Sequence, residues 1–169
     1  PRNLPNKVNE YGFDTGSHGA RAWWVVKSST LPIPEFTTTT FDVNGTNNER
    51  FGRRVALDGK HLLVGYDSGS NRKLHYYQVS ETNGSLTPKS IITPDNESNN
   101  LAHFFGQAFA VDGNLLAVGA HSAYVSNVSN VGAVYLYDLN STTPTQVARI
   151  TASDGTASDR LGYSVDVSG

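Results

Sequence analysis

The chain has 169 residues, of which 37% are hydrophobic, and it carries a formal net charge of −2. This apolar content is enough for a folded core and excludes a disordered chain, while the balanced charge gives no basic surface for nucleic acid. No apolar run reaches the roughly 20 residues that a membrane-spanning helix needs, and the absence of cysteine excludes disulfides, thiolate metal sites and cysteine nucleophiles.

Residues 1–50 contain two segments with strand character. Residues 19–26 combine small and aromatic apolar residues, including Trp23 and Trp24, and residues 37–41 are rich in threonine, which favours strands. We expect these segments to be the last two strands of a unit that repeats along the chain.

A sequence motif that begins at Phe51 recurs at Phe105 and begins again at Leu161. Residues 51–65 and 105–119 align without a gap and are identical at 8 of 15 positions. The copies start 54 and then 56 residues apart, and self-similarity at such a period indicates a repeat architecture. The positions that define the repeat are Phe51, Gly52, Asp58, Gly59, Gly65, Phe105, Gly106, Asp112, Gly113, Gly119, Leu161 and Gly162.

Each full copy predicts a tight β-hairpin. Apolar runs flank Asp58-Gly59 in the first copy and Asp112-Gly113 in the second, and such a pair is a strong hairpin signal because loop residues must tolerate positive φ. We predict these pairs as the loops, with the aspartates as turn formers. We interpret the Phe-Gly pairs as packing anchors, where glycine admits a close backbone approach.

A third strand in each unit carries aromatic residues and is predicted at 73–79 and 132–139. When the third-strand segments of the repeats are aligned, Trp24, Tyr77 and Tyr137 fall at the same position. A large flat side chain at the same place in every unit suits an interface between twisted sheets. We interpret these three residues as inter-blade aromatics, with ligand stacking as the alternative.

A fourth strand is predicted around residues 87–93 and 146–151. Four antiparallel strands in a unit of this length make one blade of a β-propeller. The predicted fold is therefore all-β, with about three blades' worth of chain in an incomplete ring. The segments are half a blade with its connector, two complete blades, and the first strand of a further blade, at 1–50, 51–104, 105–160 and 161–169.

The sequence resembles a known repeat in its Phe-Gly pairs, the apolar strand that follows, Val-Gly-Ala at 118–120 and Gly-Ala-Val-Tyr-Leu-Tyr at 132–137. These features are similar to the FG-GAP repeat of integrin α-subunit propellers and of many bacterial surface proteins. Residues 150–155 resemble the connector of the bacterial versions. The resemblance covers residues 51–169 well and 19–50 more loosely, and it implies propeller blades.

The first hairpin loop departs from the family pattern. Many members carry an Asp-rich calcium loop there, because a hard cation needs several converging oxygens. Loops reduced to Asp58-Gly59 and Asp112-Gly113 cannot supply six or more ligands, so this is a short-loop variant. We expect no calcium and no other cofactor; the remaining loop carboxylates, where calcium is the minor alternative, are Asp95, Asp154 and Asp159.

Three blades would leave apolar faces exposed, because each blade covers its neighbour and a ring needs at least four. Either the chain is a segment of a larger propeller, or several copies close a ring together. We expect the first, since the sequence stops inside a predicted hairpin.

Five Asn-x-Ser/Thr sequons lie in polar segments between predicted strands, at Asn44, Asn83, Asn96, Asn127 and Asn140. Asn83 and Asn140 occupy the same inter-strand loop of successive units. This placement favours a secreted, glycosylated chain. An Asn-, Ser- and Thr-rich loop composition, as in a bacterial surface protein, is the alternative.

The sequence contains none of the common catalytic motifs, whether a Gly-x-Ser-x-Gly elbow, a His-Glu-x-x-His zinc motif or a phosphate-binding glycine loop. Its five histidines are scattered without ligand spacing, and we interpret them as surface or interface residues: His18, His61, His75, His103 and His121. We expect a protein that is not an enzyme and has no catalytic, cofactor-binding or metal-binding residue.

The expected function is adhesion, or surface or matrix assembly, by an extracellular or cell-surface propeller. It rests on the resemblance, the sequons and the missing catalytic motifs, so it is an analogy of architecture. The alternatives are a filament subunit, a glycan-binding module that uses an exposed Trp23 or Trp24, and an accessory propeller of a larger enzyme. Expected partners are a protein or glycan, further blades of this chain or other copies of it, but no nucleic acid and no membrane span.

Overall fold

The computed structural model of the protein describes residues 12–14, 21–23, 50–68, 71–94 and 104–168. Within these residues every regular element is a β-strand. The strands in chain order are β1 (Gly12–Asp14), β2 (Arg21–Trp23), β3 (Arg50–Asp58), β4 (His61–Ser68), β5 (Asn71–Val79), β6 (Leu86–Ile92), β7 (Ala108–Asp112), β8 (Leu115–Ala120), β9 (Ala133–Asp138) and β10 (Thr145–Ile150).

The strands form two four-stranded sheets and one small two-stranded sheet. The first blade has the order β3-β4-β5-β6, the second blade has the order β7-β8-β9-β10, and β1 pairs with β2. Neighbouring strands are antiparallel throughout the three sheets. The predicted all-β fold of four-stranded blades is confirmed, with two blades among the described residues and no closed ring.

The third and fourth strands of each blade lie within two residues of their predicted positions. The strand predicted at 37–41 lies outside the described residues. At the other end of the chain, residues 161–168 do not form the predicted strand, and Leu161 makes only an isolated parallel bridge with Gly132. A strand needs a neighbour with which to share its hydrogen bonds, and the described chain offers none beyond this bridge.

The first hairpin of each blade closes one residue later than predicted. Asp58 pairs with His61, so the loop is Gly59-Lys60 and not Asp58-Gly59. Gly59 has a φ of 50°, and a positive φ at the first loop position favours glycine. The second blade repeats this arrangement with the loop Gly113-Asn114. The two aspartates are therefore the last residues of their strands.

The main core lies between the two blades. Each blade has a front face, which points along the chain toward the next repeat, and a rear face on the other side. The core joins buried residues of the first blade's front face to buried residues of the second blade's rear face: Leu63, Leu74, Tyr76 and Ile92 with Phe105, Leu116, Val118, Tyr135 and Tyr137. Burial of each large side chain contributes about 1.5–3 kcal/mol, so this interface is the chief stabilising contact between the blades.

The two outer faces differ. The rear face of the first blade forms a second buried cluster, with Phe51, Leu62, Val64, Tyr77 and Val79. The front face of the second blade is partly open. Ile92 and Ile150 occupy equivalent places, opposite Leu74 and Val134, yet Ile92 is 4% exposed and Ile150 is 46% exposed.

Candidate functional site

The ends of the blades form two rims, and the described arginines lie toward one of them. The lower rim holds the hairpin loops Gly59-Lys60 and Gly113-Asn114, and the upper rim is the opposite end, where β4 connects to β5 and β8 to β9. The charged residues around the lower-rim loops are mainly acidic: Asp58, Lys60, Glu81, Asp112 and Asp138. The arginines whose side chains the structure describes lie toward the upper rim: Arg53, Arg54, Arg72, Arg149 and Arg160.

The recurring Phe-Gly pair joins neighbouring repeats at the upper rim. Gly106 has a φ of 75°, and a Cβ built on it would lie 3.1 Å from the Leu74 side chain of the first blade. Gly162, with a φ of 83°, lies so close to Gly119 and Ala133 that a Cβ would overlap the Ala133 carbonyl. Glycine is therefore required in Phe105-Gly106 and in Leu161-Gly162, because the backbone of both pairs sits directly on the blade before it.

The upper-rim groove lies beside this contact, between the first blade and the start of the second. Its lining residues come from the beginnings of both repeats and from the β4–β5 connection: Arg53, Arg54, Gly65, Tyr66, Asp67, Arg72, Gly106 and Gln107. Sequence reasoning missed this groove, since the charges appear interspersed along the chain and the lining residues are distant in sequence. The available signal was a difference between repeats, because Arg53-Arg54 becomes Gln107-Ala108 in the second copy.

A β-bulge places the two consecutive arginines in the groove. The pairing of β3 with β4 shifts between Phe51 and Val55, and Gly52 has a φ of 81°. Successive side chains of a regular strand point to opposite faces, whereas a bulge can direct neighbouring side chains to the same side. Both Arg53 and Arg54 accordingly line the groove.

One carboxylate holds two of the three guanidinium groups. Asp67 contacts Arg53 and Arg72, each at 3.2 Å. Arg72 also donates to the Gln107 side chain at 3.4 Å and lies 4.1 Å over the Phe104 ring. These contacts fix the buried guanidinium of Arg72 and leave the side chain of Arg53 half exposed.

An aromatic row extends from the groove along the upper rim. The rings of Phe104 and His121 lie 4.8 Å apart, and those of His121 and Tyr163 lie 5.1 Å apart. Phe104 has a φ of 64°, an uncommon conformation for a bulky residue and one that costs energy. Burial lowers the pKa of His121, and the charges of Arg160 and Arg72 lower it further. The ring is therefore neutral near pH 7.

The lower rim holds a hydrogen-bonded connection between the blades that begins at the buried His61 side chain. His61 Nδ1 lies 2.7 Å from the Tyr76 hydroxyl, and its Nε2 lies 2.9 Å from Asn114 Oδ1 in the neighbouring hairpin loop. Asp58 Oδ2 accepts a hydrogen bond from the Gly113 backbone at 2.6 Å. Burial lowers the pKa of His61. The two hairpin loops are thus bonded to each other, so Asp58 has an inter-blade role beyond the turn-forming role predicted for it.

The structure describes two of the three aromatics assigned to blade contacts. Tyr137 is buried in the inter-blade core, and its hydroxyl donates to the Thr93 carbonyl of the first blade at 3.1 Å. Tyr77 lies on the rear face of the first blade, opposite Leu62 in the position that matches Tyr137 opposite Leu116. Trp24 lies outside the described residues.

The sequons that the structure describes are all exposed. Asn83 and Asn140 lie in corresponding lower-rim loops, and Asn127 lies in the long upper-rim loop. Asn127 and Ser126 have φ values of 65° and 50° at the tip of a tight turn. Asn44 and Asn96 lie outside the described residues.

The remaining repeat-defining residues occupy corresponding places. Phe51 and Phe105 are buried, Leu161 is partly buried, and Gly59 and Gly113 are exposed at the lower rim. No cluster of three or more His, Cys, Asp or Glu side chains suited to a metal ion occurs in the described part of the chain. No helix among the described residues is long and apolar enough to span a membrane.

Comparison with protein families identifies residues 144–169 as an FG-GAP repeat. The matched segment contains β10, the connector and the Leu161-Gly162 pair, and it confirms the resemblance inferred from the sequence. A comparison with curated proteins gave no match.

Proposed function

From the FG-GAP repeat at its carboxyl end and the blade pair before it, we propose that this chain is a non-enzymatic extracellular propeller module. It acts in adhesion or in surface or matrix assembly by holding the upper rim in a fixed shape for a protein partner. The observation that carries this proposal is the exposure of charged and aromatic side chains on loops that a buried core fixes in place.

The upper rim has the properties of a binding surface. Tyr163 is 61% exposed and Phe104 is 37% exposed, and both lie beside arginines, a combination that is enriched where proteins bind one another. The contacts of Gly106 and Gly162 with the preceding blade hold the segments that carry Phe104 and Tyr163 against the blades. Such a preorganised surface loses little conformational entropy when a partner binds.

The extracellular setting is supported by the family and by the exposed sequons. FG-GAP repeats are typical of extracellular and surface proteins. Glycans on Asn83 and Asn140 would extend from the lower rim and leave the upper-rim groove uncovered. A glycan on Asn127 would flank the upper rim instead. Intact-mass measurement before and after glycan release, on protein from its natural source, tests whether these sites are modified.

A second candidate function is a subunit of an extracellular filament. It is favoured by the partly open front face of the second blade, where Ile150 is 46% exposed. Another copy could cover this face in a head-to-tail manner, which generates an open assembly when the rotation does not close. Sedimentation velocity of the chain over a range of concentrations tests this candidate, since growth into long particles would support it.

The adhesion proposal is tested by solid-phase binding of the chain to immobilised matrix proteins, to intact cells and to a glycan array. We expect saturable binding that Tyr163→Ala weakens at the upper rim and that Lys60→Ala, at the exposed lower-rim loop, leaves unchanged. Equal effects of the two variants, or no saturable binding to any of these surfaces, would contradict the proposal. Binding confined to glycans and lost in a Trp23→Ala or Trp24→Ala variant would instead support the glycan-binding alternative.

A further inference from the structure

We propose that the upper-rim groove binds the side-chain carboxylate of an acidic peptide segment in a protein partner. The proposal rests on the proposed function, because it assigns a chemical class to the partner of that rim. The groove is defined by Arg53, Arg54, Asp67, Arg72 and Gln107, together with Gly65, Tyr66 and Gly106.

The groove carries more positive than negative charge. Three guanidinium groups line it and Asp67 is its one carboxylate, so two positive charges remain uncompensated. The arginines are close in space because of the bulge in β3 and the return of the chain at β5. A site with surplus guanidinium groups attracts an anion whose oxygens can accept several N–H bonds at once.

Arg53 and Arg54 have unused hydrogen-bonding capacity. Arg54 is exposed and makes no hydrogen bond or ion pair among the described residues. Arg53 contacts Asp67 through Nη1 at 3.2 Å, with its side chain 48% exposed. A guanidinium group has five N–H donors. The two neighbouring arginines can therefore hold a carboxylate between them without disturbing the pair with Asp67.

The rest of the groove holds its shape. Arg72 is fixed by Asp67, Gln107 and the Phe104 ring, as described above, so it contributes charge without having to move. Gly65 and Gly106 contribute backbone to the lining, and the positions where their Cβ atoms would stand are already against the side chains of Phe109 and Leu74. A partner carboxylate therefore approaches the groove from the side of the exposed Arg53 and Arg54.

The composition of the groove favours a single carboxylate over a densely charged polymer. Asp67 would repel a sulfated glycan whose charges follow one another closely, and the chain as a whole carries a net charge of −2. One aspartate or glutamate among neutral residues brings a single negative charge to the arginines, so it meets less repulsion from Asp67 than a polyanion does. The second repeat lacks this chemistry, because Gln107-Ala108 replaces the arginine pair and His121 replaces Asp67.

The test is a titration of the ¹⁵N-labelled 169-residue chain with a terminally blocked Gly-Gly-Glu-Gly-Gly peptide. The matched probe carries glutamine in place of glutamate. We expect saturating amide shifts at Arg53, Arg54, Gly65 and Gln107 with the glutamate peptide, and at least about tenfold weaker binding of the glutamine peptide. One charge-assisted hydrogen bond corresponds to about that factor.

Variants locate the site. Arg54→Gln should weaken binding of the glutamate peptide about tenfold, whereas Lys60→Gln, which removes the same charge at the lower rim, should not. Gln107→Glu adds a carboxylate to the groove and should abolish binding while every arginine is retained. The amide spectrum of each variant verifies its fold.

Equal binding of the two peptides, or equal effects of Arg54→Gln and Lys60→Gln, would overturn the proposal. Tighter binding of a sulfated oligosaccharide in the groove would overturn it as well, in favour of a glycan partner. If the chain binds cells or matrix but Arg54→Gln changes neither that binding nor the peptide titration, the adhesion function stands and the groove assignment fails.

Discussion

The two blades share a sequence motif and a strand order but differ at the upper rim. In the first blade the Phe-Gly pair is followed by Arg53-Arg54, and Asp67 faces them from the end of β4. In the second blade the corresponding residues are Gln107-Ala108 and His121, and His121 packs between aromatic rings. The shared residues specify how blades pack, whereas the residues that differ specify the charge and shape of each stretch of the rim.

The largest expected effect concerns the shared residues. Gly162→Ala should destabilise the chain by about 3 kcal/mol or more, because it combines a positive φ with an overlap against the backbone of Gly119 and Ala133. Gly113→Ala should cost about 1 kcal/mol, since its φ is also positive but nothing lies within 4 Å of a Cβ at that position. Urea denaturation measures both free energies of unfolding. Equal costs would contradict the close packing of the Leu161-Gly162 backbone.

The next effect distinguishes the covered from the open front face. Ile92→Ala should cost about 3 kcal/mol, because its side chain is buried between the blades. Ile150→Ala, at the equivalent place in the second blade, should cost less than about 1 kcal/mol in the 169-residue chain. Thermal and urea unfolding of both variants provide the measurement. Similar losses would mean that something covers the second front face as well.

A smaller effect is expected from one inter-blade hydroxyl. Tyr137→Phe keeps the aromatic ring and removes the hydroxyl that donates to the Thr93 carbonyl and to Gln146 Oε1, so the free energy of unfolding should fall by about 1 kcal/mol. Tyr163→Phe, at an exposed position of the upper rim, serves as the control and should change stability little. Urea midpoints of the two variants can be compared directly. An unchanged midpoint for Tyr137→Phe would show that this hydroxyl does not stabilise the fold.

The smallest expected effect is a pH dependence of the lower-rim connection. The pKa of His61 is lower in the folded chain than its ordinary value near 6.5, chiefly because the ring is buried. The neutral ring is favoured by folding, so its contribution to stability is present above about pH 6.5 and is lost as the pH falls toward the folded pKa.

Urea midpoints at about pH 7.5 and about pH 5 check this expectation. The midpoint should fall on acidification, and His61→Gln should reduce the difference between the two conditions. His75 and His121, whose pKa values are also lowered by burial, should account for part of the dependence that remains. An identical pH difference in the wild-type chain and in His61→Gln would assign the whole dependence to other groups.

The sequence predicted the fold well because repetition supports each local signal. Asp-Gly pairs, apolar runs and aromatic strands recur at one spacing, so two copies specify the same blade. The hairpin loop was misplaced by one residue because Asp-Gly is compatible with either register. In the observed register, the Asp58 side chain accepts a hydrogen bond from the Gly113 backbone. This bond joins residues of different repeats, so the sequence around one hairpin does not reveal it.

The upper-rim groove could not be predicted from local patterns. Arg53 and Arg54 look like opposite-facing strand residues until the bulge brings both to one side, and Gln107 reaches the groove only through the packing of the second blade. The partner of His61 in the second blade is likewise Asn114, more than fifty residues away along the chain. Contacts between repeats depend on how the blades pack, and that arrangement is not encoded in any single window of sequence.

The close approach of Gly162 to Gly119 bears on how such chains can change in length during evolution. Each such contact joins two successive repeats, because one side comes from the end of a second strand and the other from the start of the next repeat. Duplication or loss of a whole repeat restores a matching contact, whereas a break within a repeat would leave one side without its counterpart. Gain and loss of blades should therefore proceed in steps of one complete period.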